Sequence, residues 1–218
     1  MKAALKITVA SVAILIVIWP AGTVAETPVI DANELGPRGK PESSCLKCHS
    51  RLDDFKHLIE EHKRSTHYVV GVDCSDCHGG NPRVETEDAM NPAYGWIGVP
   101  KKKDVPELCA SCHGDVKKML SYGSKLRTDQ LLLYRESHHG KALLERGDLN
   151  APGCTDCHSA HGVLSPRNPL STVAKKNVSS MCGKCHGNKA LMDRYKIDSQ
   201  VVDDYKKGYH AYLVFEED

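Results

Sequence analysis

The sequence predicts a mainly α-helical fold with extensive loops, and three observations support this prediction. Apolar residues recur at three- and four-residue steps in several short segments, which is the period of an α-helix. Stretches rich in proline and glycine separate those segments. The chain has only two Phe and two Trp among 218 residues, too few large side chains for an ordinary apolar core. Another source of buried apolar surface is therefore needed.

Five copies of a C-x-x-C-H motif account for all ten cysteines. In this motif the two thiols add to the two vinyl groups of one haem, and the adjacent histidine binds its iron. The sequence therefore predicts five covalently attached haem c groups, which form the core of a small cytochrome fold with the polypeptide wrapped around them. The thioether cysteines are Cys45, Cys48, Cys74, Cys77, Cys109, Cys112, Cys154, Cys157, Cys182 and Cys185, and the iron-binding histidines of the same motifs are His49, His78, His113, His158 and His186.

Zinc sites and disulfides also use paired cysteines. A zinc site of two C-x-x-C pairs would leave one of the five pairs without a partner. Neither zinc nor disulfides would explain why a histidine follows the second cysteine in every copy. Covalent haem therefore accounts for the pattern best.

The N-terminus reads as a targeting segment. Lys2 and Lys6 precede an apolar run, and residues 23–25 offer a small-residue cleavage site. The run is shorter than the roughly 20 apolar residues that cross a membrane, which favours a cleaved signal peptide over residues 1–25. If the apolar run is extended through Ala25, it could just span a membrane, so an uncleaved membrane anchor remains an alternative. We expect a linker over residues 26–44 and one haem-binding domain over residues 45–218, on the periplasmic or extracellular side.

The formal charge argues against a nucleic-acid partner. Without Lys2 and Lys6 the charge falls from +1 to −1. Five ferric haems with ionised propionates would take the oxidised protein to about −6.

Helical and irregular segments alternate after the first motif. Leu52, Phe55 and Ile59 form an apolar stripe that His62 continues, whereas His57 lies on the polar face. The Lys101-Lys102-Lys103 run reads as a solvated turn, with a docking patch for an acidic partner as the alternative. We expect helices over residues 52–67, 130–146 and 199–207, a long irregular connection over 79–107 and a loop over 165–177.

A second repeat supplies candidates for the other axial ligand of each iron. Its form is an aromatic residue or His, a basic residue, any residue, Ser or Gly, any residue, then His. This pattern selects His67, His139 and His210, and it prefers His139 to His138. His161 follows His158 too closely to share its iron and would serve a neighbouring haem. His62 completes five distal ligands, with His57, His138 or a methionine as alternatives for the fifth.

Bis-histidine ligation would leave no open coordination position and would favour low potentials. Methionine ligands would raise the potential, although methionines more often serve as packing residues. The rival methionines are Met90, Met119, Met181 and Met192.

The chain resembles the multihaem c-type cytochromes over residues 45–210. Residues 134–162 resemble an arrangement common in periplasmic members, in which a Tyr-x-x-Ser-x-His-Gly run accompanies a C-x-x-C-H motif that is followed by a second histidine. Residues 65–78 are similar to the NapC/NrfH quinol dehydrogenases, which pass electrons from membrane quinol to periplasmic reductases. That family usually carries four haems and a methionine soon after its first motif, where this chain has Ser50-Arg51-Leu52. The matching residues are Tyr134, Ser137, His139, Gly140, Cys154, Cys157, His158, His161 and Gly162 in the first stretch, and Ser65, Thr66, His67, Tyr68, Gly71, Val72, Asp73, Cys74, Cys77 and His78 in the second.

The predicted function is electron relay through closely packed bis-His haems between redox proteins, one of which could be a membrane quinol-oxidising or b-type cytochrome complex. No nucleophile or acid–base pair that would indicate an enzyme can be read from the sequence. Two alternatives stay open, a membrane-anchored quinol dehydrogenase subunit and a reductase with one open haem.

Overall fold

Short helices joined by irregular segments build the part of the chain that the computed structural model describes, residues 43–215. These residues contain no β-strand, which confirms the prediction of a mainly helical fold. The predicted signal peptide or anchor and residues 26–42 of the predicted linker lie outside the described residues. The helices are α1 (Ser44–His49), α2 (Asp53–Lys63), α3 (Thr66–Val69), α4 (Cys74–His78), α5 (Val105–His113), α6 (Val116–Ser121), α7 (Gln130–Glu136), α8 (His138–Gly140), α9 (Cys154–His158), α10 (Val178–His186), α11 (Lys189–Tyr195), α12 (Val201–Lys207) and α13 (Tyr209–Phe215), with a π-helical turn at Lys141–Glu145 and 3₁₀ turns at Glu87–Met90, Pro92–Tyr94 and Lys102–Asp104.

Every cysteine motif lies at the C-terminal end of a helix, since α1, α4, α5, α9 and α10 all end at their motif histidine. A helix brings residues three positions apart onto one side, so the two thiols of a motif face the same way. Local hydrogen bonds start these short helices. The Asp76 carboxylate accepts from the Asp73 amide at 2.7 Å in α4, and the Asp156 carboxylate accepts from the Gly153 amide at 2.7 Å in α9.

The three copies of the second repeat share one backbone break. Ser65, Ser137 and Gly208 are extended, with ψ of 154°, 159° and 161°, and each separates one helix from the next. The Ser65 hydroxyl accepts from the Tyr68 amide at 3.1 Å, and the Ser137 hydroxyl accepts from the Gly140 amide at 3.0 Å. The helices predicted over residues 52–67 and 130–146 are therefore interrupted, because an N-cap serine starts a new helix before each histidine. The helix predicted over 199–207 is confirmed as α12.

The side-chain core is small. Nine apolar residues are buried in the described part of the chain, and four of them are alanines. Leu143, which is fully buried, packs with Ala142 and Ala151, and Tyr134 covers this cluster. The Tyr134 hydroxyl also donates to the Pro152 carbonyl at 2.8 Å. So little apolar packing fits a fold in which bound porphyrins supply most of the buried surface.

The long connection after α4 is held by its own backbone. The Gly80 amide donates to the Tyr94 carbonyl at 3.0 Å, and the Ile97 amide returns to the His78 carbonyl at 2.9 Å. Gly79 has φ of 70°, and a Cβ there would lie 1.9 Å from the Gly95 oxygen, so only glycine allows this return. The segment predicted as irregular is thus a loop that folds back onto the second motif.

Lys102 joins that loop to the fourth motif. Its ammonium lies 3.1 Å from the Asp156 carboxylate and donates to the Leu149 carbonyl at 3.0 Å. One of the three consecutive lysines therefore has a structural contact, and Lys101 and Lys103 are exposed.

None of the helices within residues 43–215 combines the length and apolar character required to cross a membrane.

Candidate haem-binding site

The ten cysteines are free thiols on the motif helices, and none forms a disulfide. Within residues 43–215, no group of three or more His, Cys, Asp or Glu side chains lies close enough together to hold a bare metal ion. The donor set instead consists of paired thiols, each pair followed by an imidazole, which is the chemistry that covalent haem attachment requires.

Three of the predicted distal histidines lie opposite a motif histidine. The ring centroids of His67 and His113 are 6.0 Å apart, and those of His139 and His186 are also 6.0 Å apart. His161 faces His78, with a centroid separation of 6.2 Å and an angle of 15° between the ring planes. The fold thus brings together residues from distant parts of the sequence.

These separations fit an iron bound between the two rings of each pair. A metal–imidazole nitrogen bond is about 2 Å long, and a ring centroid lies roughly 1 Å beyond its nitrogen, so two imidazoles bound on opposite sides of one metal hold their centroids about 6 Å apart. Two imidazoles in direct van der Waals stacking would approach more closely. The residues present therefore fit bis-histidine haem ligation at the second, third and fifth motifs.

The long loop after α4 orients His78, the histidine of the second motif. Its Nδ1 lies 2.8 Å from the Gly98 carbonyl oxygen, so Nδ1 carries the proton and Nε2 is left for a metal. The Trp96 ring lies near the same imidazole, with centroids 5.8 Å apart. Sequence analysis missed this role of the loop, because a backbone carbonyl contribution has no residue-type signature.

His62, like His78, has a ring that is held by a backbone hydrogen bond and an Nε2 that is left for a metal. It lies in the last turn of α2, and its Nε2 is buried without a hydrogen-bond partner in the described structure. A hydrogen bond to the Val72 backbone engages the ring, and Asp73 beside the first two motifs lies within electrostatic range. Asp73 is also within electrostatic range of Cys45, and α2 packs against α1, so the helix that carries His62 adjoins the first motif. An unpartnered buried nitrogen on a ring fixed from the other side fits a metal ligand.

The remaining histidines are placed differently. His49 packs against Phe55, with centroids 4.6 Å apart. Neither His158 nor His210 makes a ring contact with another histidine in the described residues, and His210 is exposed on α13. The alternatives His57 on α2 and His138 on α8 are exposed, as His139 is, but unlike His139 they make no ring contact with another histidine in the described residues.

Burial favours the neutral form of His67 and of five other histidines at these sites. It lowers the pKa of His67 to about 4, and the neighbouring His113 and His62 add to that shift. Burial is also the largest cause of the lowered pKa values of His62, His113, His139, His158 and His161. A histidine must be neutral to bind a metal, so this environment favours ligation near pH 7.

Comparisons with known proteins support the same chemistry. The cytochrome c3 family matches residues 66–187, more than half of the chain, and the cytochrome c554 and c-prime family matches residues 25–79. The C-type polyheme cytochrome OmcC of Geobacter sulfurreducens is 25% identical over an alignment of 161 residues, which covers 66% of this chain and 20% of that protein. The C-type polyheme cytochrome OmcB from two strains of the same species is 24% identical over 137 residues, 61% of this chain and 15% of each relative. This chain thus spans a fifth or less of the length of these relatives, and no solved structure matches it.

The resemblance to multihaem c-type cytochromes is therefore confirmed at the level of the family. Mainly helical structure, a thiol pair before each motif histidine and opposed imidazoles occur together in one domain. With the family match over residues 66–187, these features show that the chain belongs to the cytochrome c3 family of multihaem c-type cytochromes, which hold haem c covalently.

Proposed function

We propose that this chain relays electrons through five bis-histidine haems, one at each C-x-x-C-H motif. The observation that carries the proposal is the opposition of three predicted distal histidines to three motif histidines at 6.0–6.2 Å. When bound, haem supplies reversible one-electron exchange at its iron. A bis-His iron has no open position for a substrate, so this ligation supports a carrier rather than a catalyst.

The polypeptide has three tasks in this proposal. The motif cysteines tether each porphyrin, and imidazoles bind the iron from both faces. Backbone acceptors such as the Gly98 carbonyl, 2.8 Å from His78 Nδ1, orient the rings and increase their basicity as ligands. Burial and hydrogen bonding around each haem then set its potential.

For the two sites without an opposed ring pair we propose the remaining predicted ligands. His62 serves the first motif, because its buried Nε2 lacks a partner and α2 packs against α1. His210 is left for the fourth motif by elimination. Because neither His158 nor His210 has an opposed histidine ring in the described residues, the second candidate function is a reductase whose open iron belongs to the fourth motif.

We also propose that the protein works outside the cytoplasm and exchanges electrons with redox proteins, as the apolar N-terminal run suggests. A quinol-oxidising or b-type cytochrome complex in the membrane is one partner of this kind. The similarity of this chain to two C-type polyheme cytochromes supports an electron-transfer role.

The test is to express the full chain in a host that matures c-type cytochromes. Intact mass should exceed that of the polypeptide by five haems, and the ferric protein should give only low-spin EPR signals. Adding carbon monoxide to the reduced protein should leave its spectrum unchanged. A colourless product or the mass of the bare chain would refute the proposal. Five haems with a carbon monoxide complex at one of them would establish the open-haem alternative instead.

A further inference from the structure

The three opposed histidine pairs differ in the angle between their ring planes. The rings of His78 and His161, at the second motif, make an angle of 15° and are nearly parallel. The other two pairs, at the third and fifth motifs, are crossed, with angles of 61° for His67 and His113 and 48° for His139 and His186. The second site therefore differs in geometry from the third and the fifth.

The angle between two axial imidazoles affects the electrons of an iron bound between them. Each ring donates from a π orbital that is perpendicular to its plane. Parallel rings act on the same iron d orbital and separate its energy from that of the neighbouring one, whereas crossed rings act on both and leave their energies more nearly equal. The orientation of its ligands is thus one means by which a protein tunes a haem.

Two contacts fix the orientation of the His78 ring. Its Nδ1 lies 2.8 Å from the Gly98 carbonyl oxygen, which sets the direction of one edge of the ring. The indole of Trp96 lies beside the ring, with centroids 5.8 Å apart and an angle of 35° between the planes. A single hydrogen bond allows the imidazole to turn about it, and the large flat indole limits that movement.

The loop turns Trp96 toward the haem site. Trp96 is half-buried, whereas Tyr94 and Ile97 on either side of it are exposed. The Ile97 amide donates to the His78 carbonyl at 2.9 Å, so the backbone next to Trp96 is attached to the residue that its ring contacts. A Cβ at Gly80 would lie 3.5 Å from Trp96 Cε3, so the indole also lies over the backbone just after the motif.

The backbone places His161 opposite this ring. Ser159, two residues earlier, has φ of 68°, a value that residues with a Cβ rarely adopt, and it turns the chain after the fourth motif. The Thr66 amide donates to the Val163 carbonyl at 2.8 Å, which attaches the segment that follows His161 to the start of α3. His161 therefore lies between two fixed points of the backbone.

We propose that Trp96 is a positioning residue which, with the Gly98 carbonyl, holds the ring plane of His78 nearly parallel to that of His161. The second haem then differs in electronic structure from the third and fifth haems. Trp96 acts through His78 and does not bind the iron. This inference rests on the proposed bis-histidine relay and adds a residue that tunes one of its haems.

The test is the EPR spectrum of the fully oxidised, five-haem protein. A low-spin ferric haem with parallel imidazoles gives a rhombic signal, and one with crossed imidazoles gives a more anisotropic signal with a larger maximal g value. His161→Met identifies the signal of the second haem, because it replaces one ligand of that iron. The signal that changes in this variant should be the rhombic type in the unsubstituted protein.

Trp96→Ala should shift this signal to a larger maximal g value, because the His78 ring can then turn away from the plane of its partner. The iron should remain low-spin. Trp96→Phe, which keeps a flat ring, should retain the rhombic signal. Tyr94→Ala is the matched control and should leave the spectrum unchanged, since it removes an exposed aromatic side chain from the same loop.

An unchanged second-haem signal in Trp96→Ala would overturn the role of Trp96, and so would an equal shift in Tyr94→Ala. A strongly anisotropic signal from the second haem of the unsubstituted protein would overturn the parallel arrangement. These results leave the relay intact, whereas a His161→Met variant in which no haem signal changes would refute the ligand pairing itself. If Trp96→Ala binds fewer than five haems by mass, Trp96→Leu replaces it, because leucine keeps an apolar contact in the loop without a flat ring.

Discussion

His78 and His161 lie more than eighty positions apart in the sequence, yet their imidazole rings are nearly parallel, with centroids 6.2 Å apart. A haem bound between them would join the second motif to the segment after the fourth. His67 and His113, and His139 and His186, span long separations in the same way. Because iron ligands close these long loops, haem binding and folding should be coupled.

Substitution of His139 should change one haem, whereas substitution of its neighbour His138 should not. The His139 ring faces His186 at 6.0 Å, and His138 makes no ring contact in the described structure. His139→Met should raise one midpoint potential by a sizeable part of the roughly 0.8 V over which axial ligands move haem potentials. Spectroelectrochemical titration of both Met variants tests this, and a shift in the His138 variant instead would assign the ligand to His138.

Loss of His62 should open the first haem. Its Nε2 is buried without a hydrogen-bond partner, whereas His57 on the same helix is exposed. His62→Ala should produce a high-spin ferric EPR signal from one haem and carbon monoxide binding after reduction, because the iron loses one ligand. His57→Ala is the matched control and should remain fully low-spin. A low-spin spectrum in both variants would mean that another residue binds that iron.

Two glycines that each follow a predicted distal histidine should respond differently to alanine. A Cβ at Gly140 would lie 1.8 Å from the Tyr134 carbonyl oxygen, a backbone atom that cannot move without disturbing the α7–α8 junction. A Cβ at Gly162 would approach no atom more closely than 3.6 Å, and its neighbours are side chains. Gly140→Ala should destabilise the fold by about 1–3 kcal/mol.

The measurement for this pair is the urea midpoint of the haem-bearing protein. Gly162→Ala should unfold at nearly the same urea concentration as the unsubstituted chain, because its new contacts are ordinary van der Waals ones. Equal losses in the two variants would show that the close approach at Gly140 is relieved by backbone movement.

Lys102 should matter for stability and Lys103 should not. Lys102 lies 3.1 Å from Asp156 and donates to the Leu149 carbonyl, whereas Lys103 is exposed. Lys102→Met should cost about 1 kcal/mol of unfolding free energy, because the pair is only partly shielded from water. Lys103→Met should change it by less than about 0.5 kcal/mol. Chemical denaturation of the two variants compares these values, and a larger loss for Lys103 would contradict the assigned contact.

Acid should weaken the fold through the buried imidazoles. Burial lowers the pKa of His67 from 6.5 to about 4, and an iron bound to this imidazole would compete with the proton as well, so the unfolded chain takes up a proton over this range that the folded chain does not. The contribution of neutral His67 to the free energy of unfolding is therefore complete above pH 6.5 and is lost as pH falls toward 4. Over this range the free energy of unfolding changes by up to about 1.4 kcal/mol per pH unit. Urea midpoints at several pH values measure it, and His67→Met should flatten the slope. A midpoint that is constant from pH 7 to 4 would contradict this.

Local chemistry could be predicted from the sequence. A C-x-x-C-H motif contains its own thiols and one iron ligand within five residues, so no tertiary information is needed to recognise it. The repeat that selects His67 and His139 is also local, because it contains the serine that caps the next short helix. The prediction of two long continuous helices was wrong at these serines. The helical spacing of apolar residues continues across each serine, whereas a single capping hydrogen bond ends one helix and starts the next.

Only the tertiary structure decided which histidines oppose each other. The pairs His67–His113, His78–His161 and His139–His186 join segments whose separation in sequence has no fixed rule. The support of His78 by the Gly98 carbonyl could not be read from residue types either, because every residue has a carbonyl. An iron takes its second ligand from whichever segment the fold brings to its open face. The sequence by itself determined the C-x-x-C-H sites at which haem is predicted to attach, and the packing of short helices decided which histidines face each other.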